Sequence, residues 1–140
     1  MGRVLGLVAG GLFVCIALLI LAVFLTRDEY NLQADNLLAE RLTLEIVRGG
    51  EIDLRRIAAF EWDTVLLVAP GTPREAISRR LGREWTGIDT VDGGDLLIFR
   101  RGDEVVRFAD YRGTGSFEGF PRPFAELPEV LHAEGRVIRP

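Results

Sequence analysis

Residues Val4 to Thr26 form a run of twenty-three residues without a charged side chain, in a chain of 140 residues. As an α-helix this run is about 34 Å long at roughly 1.5 Å per residue, enough to cross the hydrocarbon layer of a bilayer with a modest tilt. Cleavable signal peptides usually have an apolar stretch of roughly 7–15 residues, and the end of this run offers no small-x-small cleavage site. The sequence therefore predicts an uncleaved membrane anchor.

Charges on either side of the run indicate its orientation. Arg3 precedes the run, whereas Arg27 is followed at once by Asp28 and Glu29. Positively charged flanks favour the cytoplasmic side, and the bias here is small. We expect a single-pass protein of the cell membrane with a cytoplasmic N-terminus and an extracytoplasmic C-terminal domain.

The charge of the remaining chain excludes one class of partner. All seventeen basic residues are arginine, and sixteen of them lie beyond Thr26 together with twenty-one aspartates and glutamates, which gives that part a net charge of −5. A basic footprint for DNA or RNA is therefore absent, and no nucleic-acid partner is expected.

Residues with metal-binding or nucleophilic chemistry are scarce. Cys15 and His132 are each unique in the chain, so neither a disulfide nor a cysteine- or histidine-rich zinc site can be built within it. Asp89, Asp92 and Asp95 surround one turn, but they lack the spacing of a calcium-binding loop and are interpreted as turn residues. We predict no metal and no cofactor, and we favour a non-catalytic protein over an enzyme.

Local patterns in the soluble part predict a mixture of helices and strands. Residues 28–47 fit an amphipathic helix that stops at Gly49-Gly50, although Leu42, Leu44 and Ile46 also alternate as in a strand. Asp63 to Val68 reads as a strand buried on both faces.

The next segments carry clearer signals. Thr72, Pro73 and Glu75 have the spacing of a helix start, and Gly82 ends that helix. Trp85 to Val91 is predicted as a strand. Leu96 to Phe99 and Glu104 to Phe108 are predicted to form a hairpin that turns at Arg101-Gly102-Asp103. The segment from Gly113 to Pro128 is predicted to be an irregular loop, and a short terminal segment follows over Val130 to Ile138.

These elements predict an α+β protein, in which an N-terminal transmembrane helix is followed by a small antiparallel sheet packed on one or two helices. The expected organisation is a membrane anchor over residues 1–26, an amphipathic helical connector over 27–50 and a small α+β soluble domain over 51–140.

The segment from residue 57 to 110 resembles a group of small bacterial envelope proteins and lipoproteins of unassigned function. The likeness rests on Trp62-Asp63 before a strand, on Pro70-Gly71-Thr72 at a helix start, on Leu81-Gly82 at its end and on the hairpin that follows. More loosely, the Gly-Thr helix start and Leu-Gly end before an antiparallel meander are similar to the small lipoprotein of the outer-membrane barrel-assembly machinery and to β-lactamase-inhibitor-like modules. The resemblance implies a binding or scaffolding role rather than catalysis.

Aromatic residues supply the candidate partner-binding surface. A glycine-rich segment offers little cover for large rings, so rings within it are expected to face a protein partner or lipid. Two tryptophans beside predicted strands are expected to pack on the helix after Thr72, and the lining of a binding groove is the alternative that makes them candidates. The candidates are Tyr111, Phe117, Phe120, Phe124, Trp62 and Trp85.

The favoured function is therefore a membrane-anchored, non-catalytic module that interacts with a protein of the envelope. Two alternatives stay open. One is an accessory subunit of a membrane complex that associates through its anchor helix, and the other is a hydrolase that uses the carboxylates Asp89, Asp92 or Asp95.

Overall fold

The computed structural model describes residues 15–21, 34–88 and 93–140. The chain divides into two compact units, Met1–Asn31 and Leu32–Pro140. In the first unit, residues 15–21 are helical (α1) and their apolar side chains are exposed.

The described residues of the second unit form three helices and eight strands. The helices are α2 Asn36–Arg48, α3 Leu54–Ile57 and α4 Arg74–Leu81. The strands are β1 Gly50–Asp53, β2 Thr64–Val68, β3 Asp95–Arg101, β4 Glu104–Tyr111, β5 Ser116–Phe117, β6 Phe124–Leu127, β7 Val130–Glu134 and β8 Val137–Arg139.

The predicted architecture, a transmembrane helix followed by one small antiparallel sheet, is wrong. Most of the apolar run from Val4 to Thr26 lies outside the described residues, and among the helices that are described none is long and apolar enough to cross a membrane. The folded part has two four-stranded sheets instead of one, and one of them contains a parallel strand pair. The corrected fold class is α+β with two sheets.

Sheet A has the strand order β4-β3-β2-β6 and is antiparallel throughout. Its central strand β2 is buried on both faces, as its aliphatic sequence predicts. Val65 and Leu67 point into a core that also contains residues of sheet B, whereas Leu66 and Val68 point into a second core beneath α4. Sheet A is thus the middle layer of the unit.

Sheet B has the strand order β1-β7-β8-β5, with β5 parallel to β8 and the other pairs antiparallel. It covers the first core with alternate residues such as Leu131 and Ala133, while His132 between them is exposed. The sequence predicted neither this sheet nor the strands β5 and β6, which lie in the segment assigned to an irregular loop.

Helix α2 confirms the helical interpretation over the strand alternative for residues 36–47, whereas Ala34 and Asp35 precede the helix and residues 28–33 lie outside the described part of the chain. The Asp35 carboxylate accepts a hydrogen bond from the Leu38 amide at 2.9 Å and caps the first turn. Leu38, Leu42 and Ile46 recur every four residues and are buried in the first core. The helix ends at Gly49, whose φ of 74° suits glycine.

Helix α4 lies on the opposite face of sheet A, where Ile77 and Leu81 join the second core. It begins at Arg74 with Pro73 in the N-cap position, one residue later than predicted, and it ends as predicted at Gly82 in the left-handed conformation. The strand predicted from Trp85 is wrong over residues 85–88, which are irregular, and its remainder lies outside the described residues. The predicted β3–β4 hairpin is confirmed, and it turns at Gly102-Asp103.

Candidate partner-binding groove

The aromatic residues predicted to form a partner surface lie mainly in the interior. Tyr111, Phe117 and Phe120 are buried and contact one another edge to face, with ring centroids 5.9 Å apart for the first pair and 6.1 Å for the second. Phe124 is partly buried against the core beneath α4. This burial removes the exposure on which their proposed role rested.

Both tryptophans are buried as well, each with its indole N–H satisfied by a backbone carbonyl. Trp62 donates to Ala58 at 3.1 Å, and Trp85 donates to Ile88 at 2.9 Å. Such partners are what a buried indole requires, so the two rings serve the fold.

The carboxylates considered for catalysis are not assembled into a site by the described residues. Asp89 and Asp92 lie outside them, and Asp95 is paired with Arg122 at 2.8 Å. In the described parts of the chain, no group of three metal-ligating side chains could hold an ion.

The pKa of Arg101 on the β3–β4 hairpin is raised, chiefly by its hydrogen bond to Glu104.

An exposed apolar row runs along the outer face of α2. Leu37 is 56% exposed, Leu44 is 66% exposed and Val47 is 75% exposed, although all three are aliphatic. Leu37 and Leu44 are seven residues apart, so they lie on one side of the helix two turns from each other. This row is the clearest exposed apolar feature of the second unit.

A groove flanks this row, between α2 on one side and α3 with the segment after it on the other. It consists of two cavities of about 230 Å³ and 340 Å³ that share Arg41 and Ile57. The first cavity is lined by Asp35, Leu37, Leu38, Arg41, Ile57, Ala59, Phe60 and Arg107. The second is lined by Arg41, Leu44, Glu45, Arg48, Arg56 and Ile57.

Two carboxylates within the groove pair with three of its four arginines. Asp35 pairs with Arg107 at 3.1 Å, and the guanidinium of Arg107 also lies 4.6 Å from the centre of the Phe60 ring. Glu45 pairs with both Arg48 at 3.0 Å and Arg56 at 2.9 Å. Of these pairs, the one between Glu45 and Arg56 joins α2 to α3, and the one between Asp35 and Arg107 joins the start of α2 to β4.

Arg41, at the junction of the two cavities, is different. Its guanidinium donates one long hydrogen bond of 3.4 Å to the Ile57 carbonyl, and among the described residues no carboxylate pairs with it. An exposed guanidinium has donors to spare for a planar anion. The groove thus has four arginines and two carboxylates in its lining, and Arg41 is the arginine that lies beside the exposed leucines without a carboxylate partner among the described residues.

The spacing of residues on α2 indicates this groove, although the prediction of one amphipathic face did not use it. Leu37, Arg41, Leu44 and Arg48 follow a 4-3-4 spacing, which is the spacing of a helix that contacts another helix. Leu38, Leu42 and Ile46 form a separate buried row on the same helix. One apolar row faces the core, so the second row indicated a second contact surface.

No protein-family model, no curated protein and no solved structure matches the chain.

Proposed function

We propose that this protein is a non-catalytic interaction module that works at a membrane and binds a partner protein through the groove beside α2. The observation that carries the proposal is the exposed row of Leu37 and Leu44 next to Arg41. The uncharged run from Val4 to Thr26 supports association with a membrane.

The shape and charge of the groove favour one kind of partner, an amphipathic helix with acidic side chains. A helix that packs along Leu37, Arg41, Leu44 and Arg48 places its own residues at similar intervals against them. Its leucine-like side chains cover the two exposed leucines, and a glutamate or aspartate opposite Arg41 forms the ion pair that this arginine lacks. A second copy of α2 is less suitable because it brings another arginine to that position.

Site-specific photo-crosslinking in native membranes tests the proposal. The photoreactive residue p-benzoylphenylalanine replaces Leu44 in the full chain, and the matched control places it at the half-exposed Val130 of sheet B. We expect an adduct from position 44 that maps by mass spectrometry to an amphipathic, acidic helical segment of another protein. The substitution Arg41→Glu should abolish it, because the new carboxylate repels the partner's acid.

Three outcomes contradict the proposal. An adduct that persists at full yield with Arg41→Glu removes the charge argument. Equal adducts from positions 44 and 130 indicate nonspecific proximity. An adduct between two copies of the chain identifies the face as a self-association surface instead.

A further inference from the structure

The exposed side of α4 and the residues just after it carry four arginines: Arg74, Arg79, Arg80 and Arg83. In the described part of the chain none of them pairs with a carboxylate, and Arg74 donates to the backbone carbonyl of Gly87 at 3.1 Å. Nine of the other eleven described arginines have a carboxylate partner, in a chain with excess acid. The unpaired arginines are thus concentrated on one face.

The fold does not account for this concentration. Helix α4 packs through Ile77 and Leu81, and the carbonyls of Ser78 and Arg79 near its end accept hydrogen bonds from the amides of Gly82 and Arg83. A favourable interaction with the helix dipole applies to side chains of the last turn, which include Arg79 and Arg80. It does not extend to Arg74 at the start of the helix.

The described part of the second unit begins beside the core beneath α4 and next to the groove residue Asp35. Ala34 bridges to Phe108 at the outer side of β4 and packs against the core beneath α4. Residues 27–33 separate this alanine from the uncharged run that ends at Thr26.

We propose that the α4 face binds the phosphate groups of anionic lipid headgroups. Guanidinium groups form paired hydrogen bonds with phosphate oxygens, and a basic cluster close to an anionic leaflet is attracted to it over about a Debye length. The excess of acid elsewhere on the unit is repelled by the same surface, which leaves α4 as the side that faces lipid.

This arrangement leaves the groove accessible. The buried side of α2 joins the core between the two sheets, whereas α4 covers the opposite face of sheet A. Lipid bound at α4 therefore does not cover the groove. The inference depends on the membrane association in the proposed function but not on the groove or its partner.

Depth-dependent fluorescence quenching tests the inference on the full chain in vesicles. A Cys15→Ser background receives a single fluorophore at Ala76→Cys, a half-buried position of α4, or at the exposed Val47→Cys of α2 as the control. The vesicles contain phosphatidylcholine with or without phosphatidylglycerol, and a nitroxide on the headgroup is the quencher. We expect the position-76 label to be quenched in the anionic vesicles and the position-47 label to stay bright.

Two variants separate the α4 arginines from net charge. The triple substitution Arg79→Gln, Arg80→Gln and Arg83→Gln should abolish quenching at position 76 while the chain still floats with the vesicles. The control triple Arg101→Gln, Arg136→Gln and Arg139→Gln removes the same charge from outside the α4 face and the groove, and it should leave quenching unchanged.

Several results overturn the inference. Quenching that survives the α4 triple substitution, or that is equal in neutral vesicles, shows that these arginines do not bind anionic lipid headgroups. Loss of quenching on addition of inorganic phosphate at constant ionic strength identifies free phosphate as the ligand. A full chain that floats with neither kind of vesicle refutes the membrane premise itself, whereas flotation without quenching refutes the α4 proposal and leaves the groove untouched.

Discussion

The hydroxyl of Tyr111 accepts a hydrogen bond from the backbone amide of Gly115 at 3.0 Å. This contact folds the segment after β4 back over the tyrosine ring, which is almost completely buried. A Cβ atom added at Gly113 or at Gly115 would overlap the ring or its hydroxyl. The glycines of this segment therefore make room for an aromatic side chain.

Substituting Gly113 by alanine tests this relationship. Gly113→Ala should lower the free energy of unfolding by about 1–3 kcal/mol, because the added methyl group forces the ring or the backbone to shift. Urea unfolding of the detergent-solubilised chain, followed by tryptophan fluorescence, measures the change. In a Tyr111→Leu background the shorter side chain should remove most of the cost, and an equal cost in both backgrounds would show that the ring is not its cause.

Removing the tyrosine hydroxyl isolates the hydrogen bond from the packing. Tyr111→Phe keeps the ring and should cost about 0.5–1.5 kcal/mol, because the Gly115 amide loses its acceptor. Hydrogen exchange of that amide should accelerate in the variant, while amides in the centre of β3 should keep their protection relative to global unfolding. Unchanged exchange at Gly115 would show that another acceptor replaces the hydroxyl.

Local sequence patterns were sufficient for those elements whose stabilising contacts are near in sequence. The aliphatic run of β2, the glycine end of α4 and the two-residue turn at Gly102 are each determined within a few residues. Sheet B is different because Ile52 of β1 pairs with Leu131 of β7, far along the chain. No pattern within β1 specifies that partner, so the second sheet could not be derived from periodicity.

The aromatic candidate residues were expected at the surface, but most of them lie in the interior, for a related reason. Aromatic rings in a glycine-rich segment suggested exposure, but a glycine two residues after an aromatic can let the ring fold back onto the backbone. Trp85 and Gly87 repeat the relationship of Tyr111 and Gly113, since a Cβ at Gly87 would overlap the indole. An exposed apolar row lies on α2 instead. The amphipathic pattern of this helix predicts one apolar face, but the helix has a buried apolar row and an exposed one.

Arg55 joins α3 to two other segments and should resist replacement even by lysine. Its guanidinium lies 3.8 Å from the centre of the Trp62 ring, donates to the Trp62 carbonyl at 2.6 Å and pairs with Glu129 at 2.6 Å. Arg55→Lys should cost about 0.5–1 kcal/mol, because an ammonium group cannot stack and donate in the same fork. The exposed ion pair itself contributes little of this.

The matched control for Arg55 is Arg48→Lys, whose exposed pair with Glu45 requires no stacking. We expect a change within about 0.3 kcal/mol there. Equal costs at the two positions, measured by the same urea titration, would show that the contact with Trp62 adds nothing beyond charge.

Leu42 and Leu44 are two residues apart on α2, and they separate stability from binding. Leu42 is 1% exposed in the core, so Leu42→Ala should lower the free energy of unfolding by about 2–5 kcal/mol through lost burial and the cavity that remains. Leu44 faces solvent, and Leu44→Ala should change stability by no more than about 0.5 kcal/mol.

If the groove binds a partner helix, Leu44→Ala should nevertheless weaken crosslinking from a photoreactive residue at Leu37, in a chain as stable as the original. A folded Leu44→Ala chain that crosslinks at full yield would leave the exposed leucine without a role in binding, and a destabilised one would place Leu44 in the core instead of on the surface.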